Sequence, residues 1–196
     1  MKAAVFFDRD GTLIEDRGYI CHFRQVRLFP FAVDALHMLN DAGWLTVMVT
    51  NQSAIARGLC TCEQVEELHR RLRRFIERRG ARIDAIYYCP FFSGGGVERY
   101  SREDACRKPA PGMLLRAAAE LDIDMAKSFM VGDEEKDIEA GKRAGCRTIL
   151  VQSGKPIPAP PRPASATPDY VVSDLLEASR LICSLAHACA TPIGNE

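Results

Sequence analysis

The sequence predicts an α/β fold of three layers, with helices packed on both faces of a mostly parallel central sheet. Three observations lead there. Short apolar runs alternate with amphipathic stretches of helical period along most of the chain, the pattern of parallel strands joined by crossover helices. Residues that carry chemistry stand just after those runs or at helix starts, where open α/β sheets gather their ligands. The length, 196 residues, suits one domain with a proper core.

The first strand is expected at 3–7, an apolar run that Gly11 closes in a tight turn. A loop over 15–28 leads to Pro30 at the start of a helix that buries Phe31, Ala35, Leu36 and Leu39 and ends at Gly43. Residues 44–49 form the second strand. The next helix begins at Thr61, which has capping-box spacing to Gln64, and buries Val65, Leu68, Leu72, Phe75 and Ile76. The third strand is 83–88, followed by a long loop, 89–108, that Gly94, Gly95 and Gly96 make intrinsically loose. Pro111 opens a helix carrying Met113, Leu114, Ala117, Ala118 and Leu121. Residues 128–131 are the fourth strand, a helix runs on to Gly145, and 147–151 are the fifth. The stretch 155–168, rich in Pro and Ala, reads as a surface connection. A short edge strand at 170–172 and a helix over roughly 174–188 complete a domain spanning 1–187, with a tail at 188–196.

Lys+Arg and Asp+Glu are equal at 26 each, so no global field draws the chain to nucleic acid or to an anionic membrane. No apolar stretch is long enough to span a bilayer and no cleavable signal precedes the first strand. The expectation is a cytoplasmic monomer with neither nucleic-acid nor membrane partners. Eight cysteines are scattered through the chain, and in that compartment they are expected to be reduced thiols. The Arg-rich run Arg70, Arg71, Arg73 and Arg74 reads as a solvated helix face, because Glu66 and Glu67 precede Arg70 and Arg71 by four residues.

Asp8 and Asp10 close the first strand in F-F-D-R-D-G-T. Two carboxylates there can hold a hard cation such as Mg²⁺, and one can attack phosphorus while the other handles a proton. Thr50 offers a hydroxyl and Asn51 an amide to a phosphoryl oxygen. Lys108 brings positive charge ahead of a helix N-terminus, a position that favours anions. Asp133, in G-D-E-E-K-D, offers the cation a third carboxylate.

D-x-D-G-T after a strand resembles the first motif of the haloacid dehalogenase (HAD) superfamily. The strings D-R-G-Y at 16–19, T-N-Q-S-A-I-A-R-G at 50–58, Y-Y-C-P at 87–90 and C-R-K-P-A-P-G-M at 106–113 resemble the D-glycero-D-manno-heptose 1,7-bisphosphate phosphatases. The histidinol-phosphatase branch is their close relative. The resemblance covers about residues 3–156. It implies a Rossmann-like, HAD-type fold without a separate cap domain, Mg²⁺ dependence, and a small phosphorylated metabolite of lipopolysaccharide precursor synthesis as substrate. On this likeness Asp8 is the nucleophile and Asp10 the general acid/base, while Thr50 and Lys108 hold the phosphoryl group. Asp133 joins Asp8 and the Asp10 backbone carbonyl on Mg²⁺. The substrate side is assigned to Arg9, Asp16, Arg17, Gly18, Tyr19, Asn51, Gln52, Ser53 and Arg107.

The chain departs from that family in one loop, which usually carries zinc on C-x-H and C-x-C. Here the pairs read Cys89-Pro90-Phe91 and Asp104-Ala105-Cys106. Cys89, Asp104 and Cys106 lack a fourth protein ligand, so zinc is expected to be absent. Glu134 also stands where some resembling phosphatases place a lysine that reaches the substrate, and Arg107 or Arg17 would have to offset its charge. The competing readings are a phosphatase for histidinol phosphate or another small phosphomonoester, a nucleic-acid 3′-phosphatase, and a silent binding protein. Balanced charge counts against the nucleic-acid reading. The intact set Asp8, Asp10, Lys108 and Asp133 counts against the silent one.

Overall fold

A computed structural model describes residues 1–153 and 167–190, with side chains through 186. Its strands are β1 (Ala4–Phe7), β2 (Leu45–Asn51), β3 (Ala85–Cys89), β4 (Phe129–Gly132), β5 (Arg147–Val151) and β6 (Tyr170–Val172). Its helices are α1 (Ala32–Asp41), α2 (Ser53–Ala56), α3 (Cys62–Glu77), α4 (Gly112–Leu121), α5 (Glu135–Ala144) and α6 (Leu175–Ala190). Among the described residues the strands form one sheet in the order β3-β2-β1-β4-β5-β6, and every neighbouring pair is parallel.

β1 shows how three layers arise from a period of two. Val5 and Phe7 join a core with α1, α3 and α6 through Ala35, Leu36, Leu68, Leu72 and Ile182. Ala4 and Phe6 point the other way, into a core with α4 and α5 through Met113, Leu114, Ala117 and Ala140. All four residues of β1 are buried, as expected of a strand covered on both faces. The connection from β1 to α1 carries only a 3₁₀ turn at Phe23–Gln25, and that from β3 to α4 only one at Glu98–Tyr100. Neither holds a cap domain.

Local chemistry sets several boundaries. Thr61 accepts from the Gln64 amide and the Gln64 side chain accepts from the Thr61 amide, so the expected capping box starts α3. β3 begins two residues later than expected because Asp84 carries the pairing at its head, its carboxylate taking the Thr46 amide at 2.8 Å. The Arg-rich face of α3 is paired, but by different partners from those expected. Arg70 pairs with Glu67 and Arg73 with Glu77, Arg71 lies over the Phe23 ring, and Glu66 accepts from the Tyr88 hydroxyl. Helix α6 runs on to Ala190, past the expected start of the tail at 188. Residues 191–196, and 154–166 of the expected Pro-rich connection, lie outside the described residues.

The cysteine expectation needs correction. Cys89 and Cys106 form a disulfide, with Cα atoms 5.6 Å apart, while Cys21, Cys60, Cys62, Cys146 and Cys183 are free thiols. The loop 90–105 is therefore stapled at its ends despite its three glycines. Phe91 and Tyr100 also pack ring to ring at 5.9 Å, and the Phe92 amide bonds the Tyr100 carbonyl. Both thiols are committed to each other, and the protein is expected to purify without stoichiometric zinc. Elemental analysis checks this, and a Cys89–Cys106-linked peptide in a non-reducing digest checks the bond. Replacing both cysteines by serine should cost about 3 kcal/mol for a loop of this length, read as a lower denaturation midpoint.

Candidate active site

The sheet order creates the site. The chain builds outward from β1 to β3 on one side, then restarts with β4 against the other edge of β1, and ligands bind at the carboxyl ends where such an order reverses. Asp8 follows β1, and its amide bonds Val131 of β4 at 3.0 Å. Asp133 follows β4. Gly11 admits it, since a Cβ on Gly11 would stand 2.3 Å from Asp133 Oδ2, and Gly11 also has a positive φ of 80°. Thr50 and Asn51 end β2.

Lys108 is delivered by the loop before α4. Asn51 grips its backbone from both sides, Nδ2 donating to the Lys108 carbonyl at 3.0 Å and Oδ1 accepting from its amide at 3.1 Å. The Lys108 ammonium is buried and lies 2.9 Å from Asp8 Oδ1, 2.7 Å from Asp137 Oδ1 and 2.8 Å from the Val49 carbonyl oxygen. Burial works to strip its proton, but Asp137 and Asp8 together outweigh that, and the ammonium is held more firmly than an ordinary lysine's.

Asp137 joins this cluster although no sequence motif singled it out. It is fully buried; Oδ2 accepts from the Glu134 amide at the start of α5 while Oδ1 meets Lys108. Its signal was spacing: Asp137 follows Asp133 by four residues, one helical turn. Burial pushes its carboxyl above the usual range, Lys108 opposes that and the Asp8 charge adds to it. Asp8, Asp133 and Asp137 bring carboxylate oxygens within 4.8 Å of one another, and Lys108 supplies one positive charge against the three. That donor set fits a hard divalent cation.

Asp10 lines a cavity of about 390 Å³ together with residues that include Asp8, Arg9, Asp16, Gly18, Tyr19, Thr50, Gln52, Ser53, Glu134 and Lys136. Its side chain is 21% exposed. Burial raises the Asp10 carboxyl above its ordinary value, against the Arg9 charge and with help from Asp8, a setting suited to a proton donor.

Most of the expected substrate residues meet at this cavity, with four differences. Asn51 reaches it, yet its amide holds the Lys108 backbone. Arg9 also lines it, but is buried, and its guanidinium bonds inward to Asp10, Gln52 and His69. Arg17 lines a separate hollow with Ile20, Arg24 and Gln25. Arg107 is half-buried over the Phe92 ring and donates to the Phe91 carbonyl oxygen at 3.1 Å. Neither Arg17 nor Arg107 offsets Glu134; Lys136 does, at 2.6 Å and on the same cavity wall.

Residues 105–178 match the HAD-hydrolase-like family, the class that this fold and this carboxylate cluster define. The chain is 42% identical over 186 residues to the D-glycero-β-D-manno-heptose-1,7-bisphosphate 7-phosphatase of Pasteurella multocida, covering 94% of this chain and 99% of that one. The Escherichia coli K12 protein of that name is 41% identical over 180 residues, 91% of this chain and 93% of its own. In structure, a D,D-heptose 1,7-bisphosphate phosphatase from B. bronchiseptica, complexed with magnesium and phosphate, aligns with a TM-score of 0.77 and 30% identity over 94% of this chain and 99% of that one. The chain belongs to the heptose 1,7-bisphosphate 7-phosphatase family of HAD-like hydrolases. It is a phosphoric monoester hydrolase with that family's Rossmann-like fold.

Proposed function

We propose that this enzyme removes the 7-phosphate of D-glycero-D-manno-heptose 1,7-bisphosphate, with Mg²⁺ and through an aspartyl-phosphate on Asp8. The work it would serve is lipopolysaccharide precursor synthesis in the cytoplasm. The carrying observation is the buried ammonium of Lys108 set between Asp8 and Asp137, with Asp8 and Asp10 both lining the cavity. A carboxylate nucleophile, a fixed cation and a raised proton donor are the parts that this chemistry needs.

Asp8 attacks phosphorus while Asp10 gives its proton to the leaving sugar oxygen. Asp10, now ionised, takes a proton from the water that opens the aspartyl-phosphate and so returns to its starting state. Lys108, 2.9 Å from Asp8 Oδ1, holds that carboxylate in place. The Thr50 hydroxyl oxygen accepts from Gln52 Nε2 at 2.8 Å, which leaves its O–H free to donate to a phosphoryl oxygen. Mg²⁺ would be held by Asp8 and Asp133, with the Asp10 backbone carbonyl that the family likeness implies, and would supply Lewis-acid neutralisation of phosphoryl charge. No described helix is long and apolar enough to cross a membrane.

The test is a screen of phosphorylated metabolites with and without Mg²⁺. Activity should vanish in chelator and return with added Mg²⁺. The bisphosphate should exceed histidinol phosphate and simple sugar monophosphates in kcat/KM by tenfold or more, about 1.4 kcal/mol of transition-state binding. Because Lys136 neutralises Glu134, Lys136→Met should erode that preference while Glu134→Lys should keep or widen it. A monophosphate that wins by tenfold would overturn the heptose reading.

A further inference from the structure

We propose that His69, on α3, is a positioning residue for Asp10, acting through Arg9. This rests on the assignment of Asp10 as the proton-transfer group. The chain of contacts is closed and directional. Arg9 Nη1 meets His69 Nε2 at 3.1 Å. A guanidinium has only N–H groups to offer, so Nε2 must accept, and the imidazole is neutral with its proton on Nδ1. Burial first, and then the Arg9 charge, hold His69 well below its usual titration range, in keeping with that state.

The other guanidinium edges face Asp10 and Gln52. Nε lies 3.2 and 3.1 Å from the two Asp10 oxygens, and Nη2 reaches Asp10 Oδ1 at 3.1 Å and Gln52 Oε1 at 3.0 Å. With Oε1 occupied by Arg9, the Gln52 amide nitrogen is directed to Asp10 Oδ2 at 3.3 Å and to Thr50. Asp10 is thus held by donors from the turn after β1 and from the end of β2. Without a third anchor Arg9 and Asp10 would pivot together. His69 supplies that anchor from a different layer of the fold, on a helix fixed by its capping box and by buried Val65, Leu68, Leu72 and Ile76. Its ring meets Tyr88 at 5.7 Å, edge to face, and the Tyr88 hydroxyl is tied to Glu66. Arg9 and His69 are 1% and 4% exposed, so water cannot readily replace a lost acceptor, and a buried donor left unmatched pulls on its neighbours. His69 does not line the cavity, so its route to the site runs through Arg9.

The test compares His69→Phe, which removes the acceptor, with His69→Gln, whose amide oxygen can stand in for Nε2. Each full-length variant is assayed with Mg²⁺ on a sugar phosphate and on p-nitrophenyl phosphate, whose leaving group needs no proton. For His69→Phe, kcat on the sugar phosphate should fall roughly 10- to 100-fold with KM within twofold, the scale of a misplaced general acid. On p-nitrophenyl phosphate the first step should persist, giving a burst of p-nitrophenol before slow turnover, because Asp10 is still needed to open the aspartyl-phosphate. His69→Gln should restore kcat to within about threefold of the native enzyme, roughly 0.7 kcal/mol. Equal losses on both esters without a burst, or no loss at all, would overturn the proposal while leaving the phosphatase assignment intact. A native enzyme inactive on every phosphomonoester would overturn that assignment and the clamp with it. Should His69→Phe fail to fold, ¹⁵N spectra of the native imidazole decide: an unprotonated Nε2 supports the clamp, and an Nε2–H tautomer refutes it.

Discussion

Asp8→Asn is expected to cut turnover by roughly four orders of magnitude or more, the scale on which losing a covalent nucleophile registers. The amide keeps the shape of the carboxylate but not its attacking charge. It also removes one of the two carboxylates on Lys108, so the ammonium should remain paired through Asp137 alone and the fold should survive. Rapid quenching of the native enzyme should trap phosphate on Asp8. Substantial activity in the Asn variant, with nothing trapped on the native chain, would sink the covalent mechanism. Asp10→Asn should behave differently, because it keeps its backbone carbonyl and its place in the cavity lining. It should bind substrate yet be nearly inactive on sugar phosphates.

Lys108→Met should be the second large effect, and it should separate chemistry from stability. Removing one donor aimed at developing charge typically costs about 10²–10³ in kcat. It also leaves Asp8 and Asp137 buried without their ammonium, and breaking a buried pair in this way costs about 3–5 kcal/mol. The same loss makes the carboxylate cluster more attractive to a divalent cation. The variant should therefore melt lower than the native protein without metal, yet gain more in Tm from added Mg²⁺. A Lys108→Met protein with unchanged Tm and no enhanced response to Mg²⁺ would show that Lys108 is not the charge balancing this cluster.

The strands and the order of the chemical groups were legible in the sequence because both are local. β5 was expected at 147–151 and is found at Arg147–Val151, bounded by Gly145, which ends α5 with a positive φ of 85°. Thr61 and Gln64 marked the start of α3 for the same reason. α2 was missed because four residues are too few to show a period. His69 was hidden by its setting, since it falls on the buried stripe of α3, where the pattern of Val65, Leu68 and Leu72 draws attention to core packing. The disulfide depended on a contact that no spacing announces. Asn51 pairs with Cys89 in the sheet and also grips Lys108, and Cys106 stands two residues before that lysine. The clamp that aims the ammonium is thus what brings the two sulfur atoms together. Arg17 and Lys136 show the same limit at the cavity, where charge could be counted from the sequence but its placement could not.

The position of β1 in the sheet also has a consequence for how the chain is made. Phe7 pairs with Met48 on one side and with Val131 on the other, so the strand leading to Asp8 waits for a partner 124 positions further along. Such a pairing meets its loop-closure cost before its contacts reward it, which slows folding. During synthesis, the segment through β3 would present β1 as an open edge, with Val5 and Phe7 lacking the cover of β4. Exposed edges of this kind recruit other chains. Expression of fragments ending before β4 should therefore give aggregates, and refolding of the full chain should lose yield as its concentration rises. The strand that leads to Asp8 thus leaves the ribosome well before the β4 partner that secures its second edge.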